Sequence, residues 1–233
     1  MKKILPILLA LAAVAAGCTG RQERSRNADK YDEWKASLAD SVASLQQTVK
    51  LTEDSLATAY STVDSMLSLF TFVDNPREVE GYTILKAARD HYPLTRTGLT
   101  ARIAKSEAFE LIAALSGGSF TSIAVSAGGK TVESATVGHD QGLNYRSGGL
   151  NTVLFTGAKA DSIGRLVAAS APDAITVSYI GSTRRTIKMQ PADARIVALT
   201  WKLAEARAEV SRLERTLPLL SRKIDLLRSK TEK

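Results

Sequence analysis

The sequence predicts an α+β protein. Its N- and C-terminal helices form a long antiparallel coiled-coil hairpin, and a small antiparallel β-rich head domain carrying one helix fills the middle. Three observations predict this. From Asp29 to Phe70 the chain has no Pro or Gly, and its apolar residues recur in alternating steps of four and three. A second such run starts near Pro191. Between the two, the helical period gives way to short β-type runs broken by paired glycines. The composition agrees: six prolines, fifteen glycines and 44% hydrophobic residues in 233 exclude a collagenous, low-complexity or wholly disordered chain. One cysteine excludes an intramolecular disulfide framework and a CxxC metal site, and two histidines leave little material for zinc. No metal and no cofactor is expected.

Met1, Lys2 and Lys3 form a positive start, followed by Ile4 to Ala16, apolar apart from Pro6. That run is shorter than the roughly 20 residues a bilayer-spanning helix takes, so residues 1–17 read as a cleaved signal peptide. Ala15, Ala16 and Gly17 place small residues directly before Cys18. The charged start, the apolar run and the small-small-Cys end resemble the lipobox of bacterial lipoproteins, with Ala15 standing where Leu is usual. The resemblance implies that Cys18 is lipidated, that residues 18–28 form a tether, and that multiple acyl chains hold the protein where a single chain binds only marginally. Thr19 stands where lipoproteins kept in the inner membrane have Asp, so the resemblance implies the outer membrane. The stretch Thr19 to Arg26 is basic rather than an acidic export tether, which favours the periplasmic face over the cell surface.

Residues 29–70 are expected to form the first coiled-coil helix, with Asn27 or Asp29 as N-cap. Its seam is Tyr31, Lys35, Leu38, Val42, Leu45, Val49, Thr52, Leu56, Ala59, Val63, Met66 and Phe70, apolar except at Lys35 and Thr52. A seam held this long marks a coiled coil rather than a helix lying on a core. Residues 191–233 form the second, with the wholly apolar seam Ile196, Leu199, Leu203, Ala206, Val210, Leu213, Leu217, Leu220, Ile224 and Leu227. Pro218 falls inside it, where a straight helix would lose about 3 kcal/mol; the register continues beyond, so a bend is expected. Antiparallel pairing puts Phe70 near Ile196 and Val42 near Ile224, giving a stalk of about 60 Å at 1.5 Å per residue. The net acidity of the first helix and net basicity of the second suit this pairing. Val and Leu at alternate seam positions also suit a parallel homodimer, so self-association is a further expectation.

Residues 71–190 are the expected head. Its β-type runs are 81–86, 98–104, 109–115, 120–126, 131–137, 152–156, 174–180 and 186–189, with Gly117-Gly118, Gly128-Gly129 and Gly148-Gly149 as turns. Ile163, Leu166 and Val167 stand at helical spacing within 159–170. No catalytic motif is found: Ala127 to Thr131 lacks the first glycine of a phosphate-binding loop, and GxSxG, SxxK and HExxH are absent. The densest polar stretch, 138–149, is expected on one loop and offers His139, Asp140, Tyr145 and Arg146 to a ligand or partner. A solvated hairpin connection is its structural alternative. His91-Tyr92-Pro93 reads as a turn and Arg184-Arg185 as a hairpin tip.

The formal charge of +7 does not read as nucleic-acid binding in an exported, anchored chain; the basic C-terminal end instead suits anionic head groups at a membrane. The whole layout resembles the uncharacterised coiled-coil lipoproteins of Bacteroides-like Gram-negative bacteria. The first expectation is therefore a non-enzymatic envelope protein holding a binding head off the membrane, as scaffold or accessory subunit with a protein partner. The alternative is a glycan-binding or envelope-polymer-modifying enzyme that uses the 138–149 loop.

Overall fold

A computed structural model describes residues 22–74, 81–92, 94–140 and 142–231. The expected signal peptide 1–17 and Cys18 lie outside the described residues. Three helices and two antiparallel sheets make up an α+β protein. The first helix, α1, covers Gln22–Leu67. It starts inside the segment expected as a tether, because nothing between Gly20 and Pro76 breaks it and 22–26 are good helix formers. It stops three residues before Phe70, a correction to the expected seam: the Leu69 N–H closes on the Met66 carbonyl at 2.9 Å, and Phe70–Val73 becomes strand β1. Aromatic and β-branched residues in Phe70-Thr71-Phe72-Val73 favour that change.

The chain divides into two units, 1–49 with 219–233, and 50–218. In the first, Gln46 and Val49 of α1 face Ser221, Ile224, Asp225 and Arg228 of the last helix across a groove. Ile224 is buried there, and Tyr31 stacks on Trp34 with ring centroids 5.7 Å apart.

The second unit holds both sheets. After β1 come β2 (Tyr82–Leu85), β3 (Gly98–Ala104), β4 (Phe109–Ser116), β5 (Ser122–Ala127) and β6 (Lys130–Glu133). Then follow β7 (Asn144–Ser147), β8 (Leu150–Phe155), α2 (Ala158–Ala168), β9 (Thr176–Ile180), β10 (Arg184–Lys188) and α3 (Pro191–Thr231). One sheet runs β1-β2-β3-β4-β8-β7 and the other β10-β9-β5-β6. Two glycine pairs make the tight hairpins expected of them: Gly128 and Gly129 join β5 to β6, and Gly148 and Gly149 join β7 to β8. All four have positive φ, which glycine adopts without strain. Strand β1 and strand β7 were not expected, and residues 184–185 lie in β10 rather than at a tip.

Alternate residues of each sheet point into one apolar cluster: Ala101, Ile103, Leu111, Ala113, Val153 and Phe155 from the first, Ile123, Val125, Val177 and Tyr179 from the second. Helix α2 adds Ala160, Ile163 and Val167 to it. Helix α3 carries two buried stripes in its first half. Ala194, Val197, Trp201 and Ala204 form one, and the indole of Trp201 rests on Gly164 of α2. Ile196, Leu203 and Val210 form the other, and Leu56, Ala59, Val63 and Met66 of α1 join the same cluster. The Tyr60 hydroxyl donates to the Glu214 carboxylate. α3 continues through Pro218 to Thr231.

Candidate functional site

The polar stretch 138–149 is not a single loop: its second half is β7, paired with β8 from Asn144↔Val153 to Ser147↔Leu150. Two buried amides hold it in place. Asn144, 1% exposed, donates to the carbonyls of Phe120 at 3.1 Å and Val137 at 2.8 Å. Asn151 of β8, equally buried, accepts from the Phe120 N–H at 2.9 Å and donates to Asn144 Oδ1 at 2.8 Å and the Tyr145 carbonyl at 3.1 Å. Each amide so satisfies groups that burial would otherwise strand. Neither asparagine was singled out from the sequence, where an Asn on either side of the Gly148-Gly149 hairpin was the available signal.

The four candidate side chains have different surroundings. Asp140 Oδ1 accepts three backbone N–H groups, from Gly142 at 2.9 Å, Leu143 at 2.5 Å and Asn144 at 3.1 Å. Those bonds, led by Leu143, hold its carboxyl below the ordinary value of 3.8. Arg146 Nη2 donates to the Gly118 carbonyl at 3.0 Å. His139 and Tyr145 are exposed. Tyr145 and Arg146 are successive strand residues and project to opposite faces of the sheet, so β7 separates them. The stretch therefore has one carboxylate committed to its own backbone, one guanidinium tied to a neighbouring turn, and an imidazole and a phenol open to solvent.

Two further ionic groupings lie in the same unit. Arg96 pairs with Asp193 in the first turn of α3 through two bonds, Nη1 to Oδ2 at 3.0 Å and Nη2 to Oδ1 at 2.6 Å. The Asp193 side chain is 4% exposed. Beside it the Tyr179 hydroxyl donates to the Gly98 carbonyl at 3.0 Å, and burial, then the charge of Asp193, pushes that phenol well above its ordinary range. Gly98 is fixed by this crowding, since a Cβ there would lie 2.7 Å from both Arg96 Nη1 and Asp193 Oδ2. Further along β3 the Arg102 guanidinium stacks over Tyr82 at 4.6 Å, bonds the Tyr92 hydroxyl at 3.0 Å and pairs with Glu110 at 2.5 Å. These were missed because their partners are distant in sequence or hidden in ordinary strand patterns.

Among the described residues no group of three His, Cys, Asp or Glu side chains is placed to hold a metal ion, and no helix is long and apolar enough to cross a membrane. Compared with known proteins, the chain matches no family model, no curated protein and no solved structure.

Proposed function

We propose that the protein is a lipid-anchored component of the outer membrane, facing the periplasm, whose paired helices connect a β-rich head to the membrane as a non-enzymatic scaffold or accessory subunit. The head engages a protein partner, and the two helices associate as an antiparallel coiled coil. The observation that carries the coiled-coil part is the spacing of shielded positions. From Lys35 to Met66 the residues that are not exposed are Lys35, Leu38, Val42, Leu45, Val49, Thr52, Leu56, Ala59, Val63 and Met66. They follow the four-three steps of the seam, with every position between them open to solvent. In α3 the same rhythm holds through Leu217, Leu220, Ile224 and Leu227.

The anchor rests on the residues around Cys18, and replacing that residue tests it. Cys18→Ala is expected to leave the precursor unprocessed or release the protein from the outer-membrane fraction; unchanged processing and membrane retention sink the anchor. The partner is tested by a photocrosslinker at Tyr145, with Thr183 as a second position, followed by mass spectrometry. One dominant protein adduct supports the scaffold. Glycan adducts, or none from a correctly localised chain, transfer the assignment to a glycan-binding or polymer-modifying head.

A further inference from the structure

A groove of about 640 Å³ lies where the end of α1 meets the corner after β2 and the first turns of α3. Its apolar surface comes from Leu69, Leu85, Ile196 and Leu199. Leu85 and Ile196 are buried, while Leu69 leaves 46% of its surface to solvent. Three exposed cations border it, Lys86, Arg96 and Arg195, against one carboxylate, Asp193, which is buried and wholly engaged with Arg96. Among the described residues no carboxylate pairs with Lys86 or Arg195. The Lys86 ammonium sits instead on the Ser68 carbonyl at 2.8 Å, which holds its charge in place. The groove thus combines apolar residues with two positive charges that no carboxylate among the described residues pairs, one on the corner after β2 and one on α3, and the first turn of α3 adds the positive end of its dipole.

We propose that this groove docks an acidic peptide segment of a partner protein, anchored by one apolar side chain. This gives the chemistry of the partner in the scaffold reading and rests on it. The arrangement of charge selects the occupant. A compact anion such as a phosphate needs donors converging on one point, whereas Lys86 belongs to the β2 corner, Arg195 to α3, and Arg96 is turned onto Asp193. Cations set on separate elements beside apolar residues match carboxylates spaced along an extended chain with an apolar residue between them.

The experiment is a selection of random dodecapeptides displayed on phage against the purified full chain. Enriched peptides are then titrated by fluorescence anisotropy against the native chain, Lys86→Glu/Arg195→Glu, and Ala192→Trp, which fills the groove from an exposed position. Enriched peptides are expected to carry Asp or Glu flanking Leu or Phe. They should bind more weakly as salt rises and lose at least about tenfold in affinity on each variant. Circular dichroism of both variants should match the native chain; Arg195→Glu alone serves if the double variant does not fold. Enrichment of basic or neutral peptides, no enrichment, or equal affinity for the variants overturns the proposal. So does binding of oleate that depends on Arg195 when no peptide is enriched, which would assign the groove to a carboxylate amphiphile. Because the selection uses isolated protein, its failure leaves the Cys18 and Tyr145 results to stand or fall separately.

Discussion

Gly164 offers a test in which one substitution should change sign with its surroundings. It lies inside α2, where Gly→Ala ordinarily stabilises a helix by about 1 kcal/mol. Here a Cβ would sit 2.5 Å from Trp201 Cδ1, 2.7 Å from Cγ and 2.9 Å from Cβ. A rotamer change cannot relieve this, because the last of those atoms is fixed to the α3 backbone. The two helices must part, and overpacking of this kind costs about 2 kcal/mol. Gly164→Ala should therefore destabilise the 50–218 unit by about 1 kcal/mol net, lowering its melting temperature by about 3 °C. Trp201→Ala removes the indole, itself a loss of about 3 kcal/mol or more. In that background the two shorter contacts are gone and only the 2.9 Å one to the remaining Cβ persists, so Gly164→Ala should be close to neutral, giving a coupling of about 1 kcal/mol. Urea unfolding of the four chains, followed by far-UV circular dichroism, measures it. If Gly164→Ala stabilises the native chain as much as the Trp201→Ala chain, the two helices are not in contact there and the packing described for α2 and α3 is wrong.

The remaining predictions concern the head and the seam. Asn151→Ala strands the Phe120 N–H, Asn144 Oδ1 and the Tyr145 carbonyl, and should cost about 3 kcal/mol in denaturant unfolding. A loss within error of a surface substitution would deny the amide pair its role. Asp140→Ala should lower the melting temperature at neutral pH. Because the folded carboxyl titrates below its unfolded value of 3.8, its contribution is complete above that value and disappears as pH falls through the lower folded one. The native and Asp140→Ala melting temperatures should converge below pH 3.8, and a gap independent of pH would refute the three-bond arrangement. Leu203→Glu, which places a carboxylate at a fully buried position, should cost about 4 kcal/mol or more and unfold the unit, whereas Arg215→Glu on the exposed side should shift stability by no more than about 0.5 kcal/mol. Equal effects would remove the case for a buried seam.

The helices were legible because each repeats one signal many times: a seam of twelve positions survives an exception such as Lys35. Strand β3 was found at its observed limits, since Gly98 opens it and a β-branched, alternating run fills it. Strand β7 was missed for a physical reason. Asn144-Tyr145-Arg146-Ser147 has the composition of a loop, and it pairs only because Asn144 and Asn151 bury their amides together and Gly148-Gly149 folds β8 back onto it. The end of α1 was overshot at Phe70, which keeps the heptad spacing while its backbone is taken by pairing with Leu85. The groove beside α3 was invisible in sequence because Leu69, Lys86 and Arg195 converge only after three separate elements have packed.

The apolar cluster that joins Val63 and Phe70 to Val197, Leu203 and Val210 also dictates a timetable. The head's interior includes residues from α3, so a chain emerging from a ribosome or a translocation pore lacks the parts needed to close it until nearly its last residues appear. Until then α1 has emerged with its seam bare. Contacts of such long sequence separation form late, and exposed heptads are open to promiscuous helix partners and proteases in the interval. A chain ending at Gln190 would carry every strand and yet lack buried Ala194 and Val197 and the Trp201 indole that rests on Gly164 of α2. Such a fragment should be cleared rather than accumulate as a free head, which makes the final helix the checkpoint for the whole protein's survival.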